Sequence, residues 1–226
     1  MKVILISDTH GQHEYIPSKF IDNLDGDIDM IIHAGDLTGS GSRAQLKPFF
    51  EWYQKLPFKH KIVIAGNHDF FFEEAPEYEI ESFLAEYPGV TYLNDSGVEI
   101  DGFKIWGSPI TPYFCNWAFN RVGDSIKKHW SLIPLDTNIL ITHGGPKNIG
   151  FLNTTSRDKE DVGCPYLSEK ITELSDLKLF IQGHIHEGYG DYKLNDTLYV
   201  NASVLNENYN MTNKPIIVQT NDWSVI

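Results

Sequence analysis

The chain has 226 residues, of which 41% are hydrophobic and 13% aromatic, enough for one domain with a sizeable core and too apolar for a disordered chain. A formal net charge of −13 works against a nucleic-acid duplex or an anionic membrane surface as partner, although bound cations would reverse the field locally. Cys115 and Cys164 are the only cysteines and form no CxxC pair, so they read as free thiols in a reducing compartment. Val3–Ile6 is too short for the apolar core of a signal peptide, and no apolar run reaches membrane-spanning length. The expectation is a soluble, cytoplasmic protein; composition assigns no oligomeric state.

Taken in order, Val3–Ser7 reads as a fully buried strand, because it does not alternate, and it empties into Asp8-Thr9-His10-Gly11. Asp8 and His10 are two apart, so an extended segment would point both at one ion. Tyr15–Leu24 has weak helical periodicity. Asp29–Gly35 is a second apolar strand, ending at Asp36. Arg43–Leu56 predicts a helix, with Leu46, Phe49, Phe50 and Tyr53 at helical spacing and Pro57 beyond its end. Lys61–Ala65 is a third strand, leading through Gly66 to Asn67, His68 and Asp69, the last able to orient the imidazole before it.

Glu77–Glu86 predicts an acidic helix, and Val90–Leu93, Val98–Ile100 and Phe103–Trp106 predict strands, the last two joined at Asp101-Gly102 as a hairpin. Gly107–Asn120 is a loop rich in Gly, Pro and aromatic residues. Val122–Leu132 is helical. Asn138–Thr142 is a strand followed by His143, and Gly144–Gly163 has too little periodicity to be other than a long functional loop. Pro165–Leu174 is a helix, and Lys178–Gln182 is a strand ending at Gly183-His184-Ile185-His186. Tyr192–Leu194, Thr197–Asn201 and Pro215–Gln219 close the chain as short strands. With no repeat, linker or low-complexity tract, residues 1–226 read as one domain.

Five apolar runs therefore end in Asp8/His10, Asp36, Asn67/His68, His143 and His184/His186, where ligands of open α/β sheets sit. Asp, Asn and His make a mixed oxygen and nitrogen donor set suited to Mn²⁺, Fe or Zn²⁺, and the lack of cysteine ligands disfavours a structural zinc. Seven donors are too many for one tetrahedral ion and suit two, which at roughly 3.5–4 Å apart clamp the attacking and leaving oxygens of a phosphoryl-type displacement.

Asp8-Thr9-His10, Gly35-Asp36, Gly66-Asn67-His68-Asp69, Thr142-His143 and Gly183-His184-Ile185-His186 resemble, in order, the full signature of the calcineurin-like metallophosphoesterases. His33-Ala34-Gly35-Asp36, Trp106-Gly107-Ser108-Pro109, Trp117-Ala118-Phe119-Asn120 and the run Gly183–Gly190 resemble more narrowly its subfamily of metallophosphoesterase-domain phosphodiesterases first noted as brain proteins. The resemblance implies a single-domain four-layer α/β/β/α sandwich. It also implies two divalent ions, Mn first and Fe or Zn as alternatives, one held by Asp8, His10 and His186 and the other by Asn67, His143 and His184. Asp36 would bridge them together with a water or hydroxide. His68 would face the leaving oxygen as general acid, with Asp69 fixing its tautomer and Asn67 also contacting substrate.

Departures narrow the substrate. Gly39 stands where purple acid phosphatases carry a tyrosine ligand, and Leu37–Gly41 lacks the arginine of the Ser/Thr protein phosphatases. The acidic chain offers little of the basic surface expected of the superfamily's nucleases. A small phosphodiester, such as a cyclic or linear nucleotide, is the leading substrate; a phosphomonoesterase and a non-catalytic metal-binding scaffold are the alternatives. Phe114, Trp117 and Phe119 either stack on a nucleobase or plug their loop into the core. His33 reads as a hydrogen-bonding core residue, His13, His60 and His129 as exposed, and Phe70–Phe72 as core.

Overall fold

The structure is a computed structural model, and it describes residues 1–16 and 28–226. The periodicity over Tyr15–Leu24 lies mostly outside the described residues; at its start, His13–Tyr15 form a single 3-10 turn.

Two six-stranded sheets face each other. In the first, β1 (Lys2–Ile6), β2 (Met30–Ala34), β3 (His60–Ile64) and β4 (Thr91–Leu93) run parallel; β13 (Ile216–Gln219) pairs antiparallel with β1, and β14 (Ser224–Val225) pairs antiparallel with β13 at the edge. In the second, β6 (Phe103–Ser108), β9 (Ile139–Thr142), β10 (Leu179–Gln182) and β12 (Thr197–Asn201) run parallel, edged by antiparallel β5 (Ser96–Ile100) and β11 (Gly190–Leu194). A small parallel pair, β7 (Thr111–Pro112) and β8 (Asn120–Arg121), pinches the aromatic loop. The β5–β6 hairpin turns through Asp101 and Gly102, both at positive φ (49° and 84°), as a two-residue turn with the strands' own twist requires.

The absence of alternation in the strands now has its reason. Val3, Leu5, Ile32 and Ile64 point between the sheets, against Ile141, Ile181 and Val200. Their neighbours Ile4, Ile6, Ile31 and Val63 point outward, into a core shared with Leu46, Phe49, Phe50 and Tyr53 of helix α1 (Arg43–Lys55). Parallel strands covered on both faces need apolar residues at every position. On the far side, Leu140, Phe180 and Tyr199 belong to the core that also takes in Ile126 and Trp130 of α4 (Gly123–Ser131) and Leu167 of α5 (Pro165–Ile171). The expected α/β/β/α layering is the observed one. Between these, α2 (Phe71–Glu74) is one turn that sequence patterning does not signal, and α3 (Glu77–Leu84) is the expected acidic helix.

Because β1, β2 and β3 are parallel, and β9 and β10 are parallel, their carboxyl ends fall together. The sheets are also stitched there: Ser7 N donates to Ala202 O (2.9 Å), and Val204 N donates to Ser7 O (3.1 Å).

Candidate metal centre

The loops leaving β1, β2, β3, β9 and β10 converge on one cluster. Asp36 lies near its middle: its Oδ2 is 3.3 Å from His143 Nε2, 3.5 Å from His10 Nε2 and 4.0 Å from His68 Nε2. On one side, His186 Nε2 is 3.5 Å from Asp8 Oδ1 and 3.3 Å from His10 Nε2. On the other, the Asn67 amide oxygen is 3.0 Å from His143 Nε2 and 2.7 Å from His184 Nδ1. All seven residues named from the sequence as donors are thus brought together.

Asp8 and His10 share the cluster, but not by alternation along an extended segment. Asp8 (φ 53°), His10 (φ 41°), Asp36 (φ 55°) and His184 (φ 70°) all occupy the left-handed region, where a non-glycine residue is strained by about 1–3 kcal/mol. Surrounding hydrogen bonds hold that backbone: Asp8 N donates to Gly35 O (2.9 Å), and His10 N donates to Asp36 O (3.0 Å). His184 N donates to both Asp8 carboxylate oxygens (3.0 and 3.1 Å). The glycines preceding the ligands allow this close approach. A Cβ on Gly66 would lie 2.2 Å from Asp36 N, and one on Gly183 2.2 Å from Asp8 Oδ2.

The donor set fits divalent cations. The Ala34 carbonyl faces His143 Nδ1 (2.8 Å) and the Asn206 carbonyl faces His186 Nδ1 (2.9 Å). Carbonyls only accept, so these nitrogens carry the protons, and the Nε2 lone pairs point at carboxylate and amide oxygens. Lone pairs aimed at acceptors repel unless positive charge lies between them. In the protein alone, protons supply that charge. Burial would lower His143, but the Asp36 carboxylate reverses this and holds it at about 9. Asp8 does the same for His186, also against burial and also to about 9. Burial, reinforced by neighbouring imidazoles, pulls His10 and His184 down to about 4 despite the two carboxylates. Burial opposes ionisation of Asp8 and Asp36 too, yet the histidines hold both well below the usual carboxylate range.

Asp69 requires a correction. Its carboxylate accepts from Gly66 N (2.9 Å), Leu37 N (3.0 Å), Thr38 N (3.1 Å) and Thr38 Oγ1 (2.9 Å), and it does not bond His68. Residues 66–69 form a turn closed by Asp69 N to Gly66 O (3.0 Å), which sends Asp69 beneath the loops. His68 Nδ1 instead faces the Gly39 carbonyl at 2.9 Å, which sets the tautomer and leaves Nε2 toward the cluster. The same turn, not an extended backbone, separates the directions of Asn67 and His68. Burial and the Asp36 charge push Asp69 up to about 7, against donors that favour its ionised form.

A cavity of about 410 Å³ opens over the cluster, and Tyr113, Phe114, Trp117, Val162 and Tyr209 form much of its wall. Phe119, expected with Trp117 at the substrate, is a second correction. It is buried in the core, with Glu73 accepting from its backbone N (2.6 Å), so it anchors the loop that presents Trp117 and Phe114. His13 is buried beside Phe49 and Trp52, not exposed, while His60 and His129 are half-buried beside Asp101 and Asp95. His33 bonds Thr9 Oγ1 (3.0 Å) within the core, as read. Thr155 and Val162 bring the long loop after His143 to the cavity, as its lack of periodicity suggested. Tyr209 and Asn206 carry no motif in the sequence: they lie in an Asn-rich stretch whose one signal is turn propensity.

A two-sheet sandwich with a buried oxygen and nitrogen donor cluster at its strand ends is the architecture of a metal-binding phosphoesterase. The family described as Calcineurin-like phosphoesterase matches residues 1–188. The chain is 37% identical over 237 residues to human metallophosphoesterase domain-containing protein 1, covering 96% of this chain and 70% of that protein. Its fold is similar to TT1561 of Thermus thermophilus (TM-score 0.60, 15% identity, 88% of each chain). It is also similar to an archaeal phosphodiesterase (TM-score 0.55, 17% identity, 100% of this chain and 98% of that one). The chain belongs to the calcineurin-like phosphoesterase family, whose reaction class is phosphoric ester hydrolysis. Among the described residues, no helix is long and apolar enough to cross a membrane.

Proposed function

We propose that the chain is a dimetal phosphodiesterase acting on a small phosphodiester, a cyclic or linear nucleotide being the leading kind. The observation that supports it best is the position of Asp36 Oδ2, within 3.5 Å of His10 Nε2 on one side and His143 Nε2 on the other. Asp8, His10 and His186 would hold one cation, Asn67, His143 and His184 the second, and Asp36 both; Mn²⁺ suits this hard, mixed donor set, with Fe and Zn²⁺ as alternatives. When bound, two such cations polarise a phosphoryl oxygen and lower the pKa of water.

The chain's own residues supply the rest. His68 keeps one proton on Nδ1 against Gly39 O and presents Nε2 to the cavity; as an imidazolium carrying a second proton on Nε2, it would give that proton to the departing ester oxygen and be left as the neutral Nδ1–H imidazole. Asn67, beside it, reaches both the second cation and the substrate. The cavity wall, among the described residues, carries no lysine or arginine. A diester monoanion needs less neutralisation than a monoester dianion, so this favours the diester. A complete donor set with His68 in place favours an enzyme over a scaffold. Two free thiols, Cys115 and Cys164, suit a reducing, cytoplasmic location.

The test is Mn²⁺ titration of the metal-stripped protein, followed by hydrolysis of bis-p-nitrophenyl phosphate and p-nitrophenyl phosphate. Two equivalents bound and faster turnover of the diester are expected. Faster turnover of the monoester would refute the substrate class, and metal binding without either activity would refute the enzyme.

A further inference from the structure

Tyr209 combines two unfavourable features that a structural residue would avoid. The residue is 48% exposed, and its backbone sits at φ +58°, a region that bulky residues rarely adopt. The loop around it is nevertheless tied down. Asn206 Oδ1 accepts from Asn208 N and Asn210 N (3.0 Å each), Tyr209 N donates to Asn206 O (2.9 Å), and Gln12 Nε2 donates to Tyr209 O (3.1 Å). The Asn206 carbonyl also faces His186 Nδ1, so one short loop orients a cluster imidazole and places the phenol beside it. The ring stands nearly perpendicular to His10 and His186, with centroids 4.9 and 5.2 Å away, and its hydroxyl makes no hydrogen bond to the described residues. Elsewhere on the wall of the same cavity stands Phe114, 64% exposed.

We infer that Tyr209 is a specificity-determining residue, one wall of an aromatic subsite, completed by Phe114, that takes a planar aryl or nucleobase-like ester group of the phosphodiester. This rests on the phosphodiesterase reading. Strain held in place by several hydrogen bonds, at an exposed ring over the cavity, is accounted for if the ring packs against a ligand and not against the protein. With no lysine or arginine on the wall among the described residues, discrimination between the ester groups of different diesters falls to such apolar contacts.

Phenyl p-nitrophenyl phosphate and methyl p-nitrophenyl phosphate share a leaving group and differ only in the ester group that stays behind. With the Mn²⁺-loaded protein, KM for the phenyl ester should be about five- to tenfold below that for the methyl ester, the scale of one aromatic contact. Tyr209→Asn removes the ring but tolerates left-handed backbone, as does Tyr209→Gly, so either variant keeps the loop; both should abolish the preference. Tyr209→Phe should retain it. An unchanged preference in the Asn and Gly variants, no preference in the wild type, or its loss in Tyr209→Phe would overturn the inference. If neither diester is hydrolysed, the phosphodiesterase reading fails, and calorimetric binding of phenyl methylphosphonate against methyl methylphosphonate decides the subsite. Tighter binding of the phenyl compound that Tyr209→Asn removes supports it, and equal binding overturns it.

Discussion

The His68 imidazole and the Trp117 indole are stacked, with ring centroids 4.0 Å apart and an interplanar angle of 28°. Trp117 therefore covers one face of the proposed general acid. Its loop is held by Ala118 N to Asn67 O (3.1 Å), by Phe119 N to Glu73, and by the Glu73–Arg121 ion pair (2.8 Å). In this arrangement Trp117 would act as a positioning residue for the imidazole it stacks on.

His68→Ala should lose about 10²–10⁴-fold in kcat on a diester with an alkyl leaving group and much less on a nitrophenyl one, whose phenolate departs without a proton. Trp117→Ala should show the same dependence on the leaving group with a smaller loss. In the His68→Ala background it should cost little more, since coupled residues are not additive. The kinetic double-mutant cycle checks this; additive losses would show that Trp117 does not act through His68.

Asp36→Asn should impair both metal equivalents together, because its Oδ2 faces both halves of the cluster. His186→Ala should mainly weaken the equivalent near Asp8 and His10. Metal analysis after dialysis reads this directly. Two full equivalents in Asp36→Asn would remove the bridging role.

Stability of the metal-stripped protein should peak near pH 6.5. His143 and His186 rise from 6.5 to about 9 on folding, so their contribution is complete below 6.5 and is lost as pH climbs through 9. His10 and His184 fall to about 4, so below 6.5 the unfolded chain takes up protons that the folded chain refuses, and stability drops again toward pH 4. Thermal melts from pH 4.5 to 9.5 measure the curve. Mn²⁺ should flatten its alkaline side, because cations replace the protons lost there, and calorimetry in buffers of different ionisation enthalpy should detect proton release below pH 9.

Asp69→Ala should destabilise the fold by about 3 kcal/mol or more, since the backbone N–H groups of Gly66, Leu37 and Thr38 lose a buried acceptor. Urea unfolding gives the value. The milder Asp69→Asn should lower the urea midpoint without reproducing the leaving-group dependence of His68→Ala. A match to that dependence would restore Asp69 as the partner of His68.

The amino-acid sequence by itself determined the apolar strands and the polar residues at their ends, and its motifs pointed to the sandwich through their family resemblance. Strands buried on both faces must be apolar throughout, so the polar residues that end them, Asp8, Asp36, Asn67, His143 and His184, were legible one strand at a time. The direction of a side chain within a turn is not encoded by adjacency, and here tertiary structure decided. Asp69 follows His68 yet points beneath the loops, and the tautomer of His68 is set by the backbone of Gly39. Phe119 and Trp117, two positions apart, divide between core and cavity in a loop where Phe119 takes a left-handed φ of 59°. His10 and His186 meet across 176 positions of chain, and Tyr209 reaches them from a loop with no periodicity to betray it. Such contacts depend on where separate loops land when two sheets close, a property of the packed whole and of no single segment.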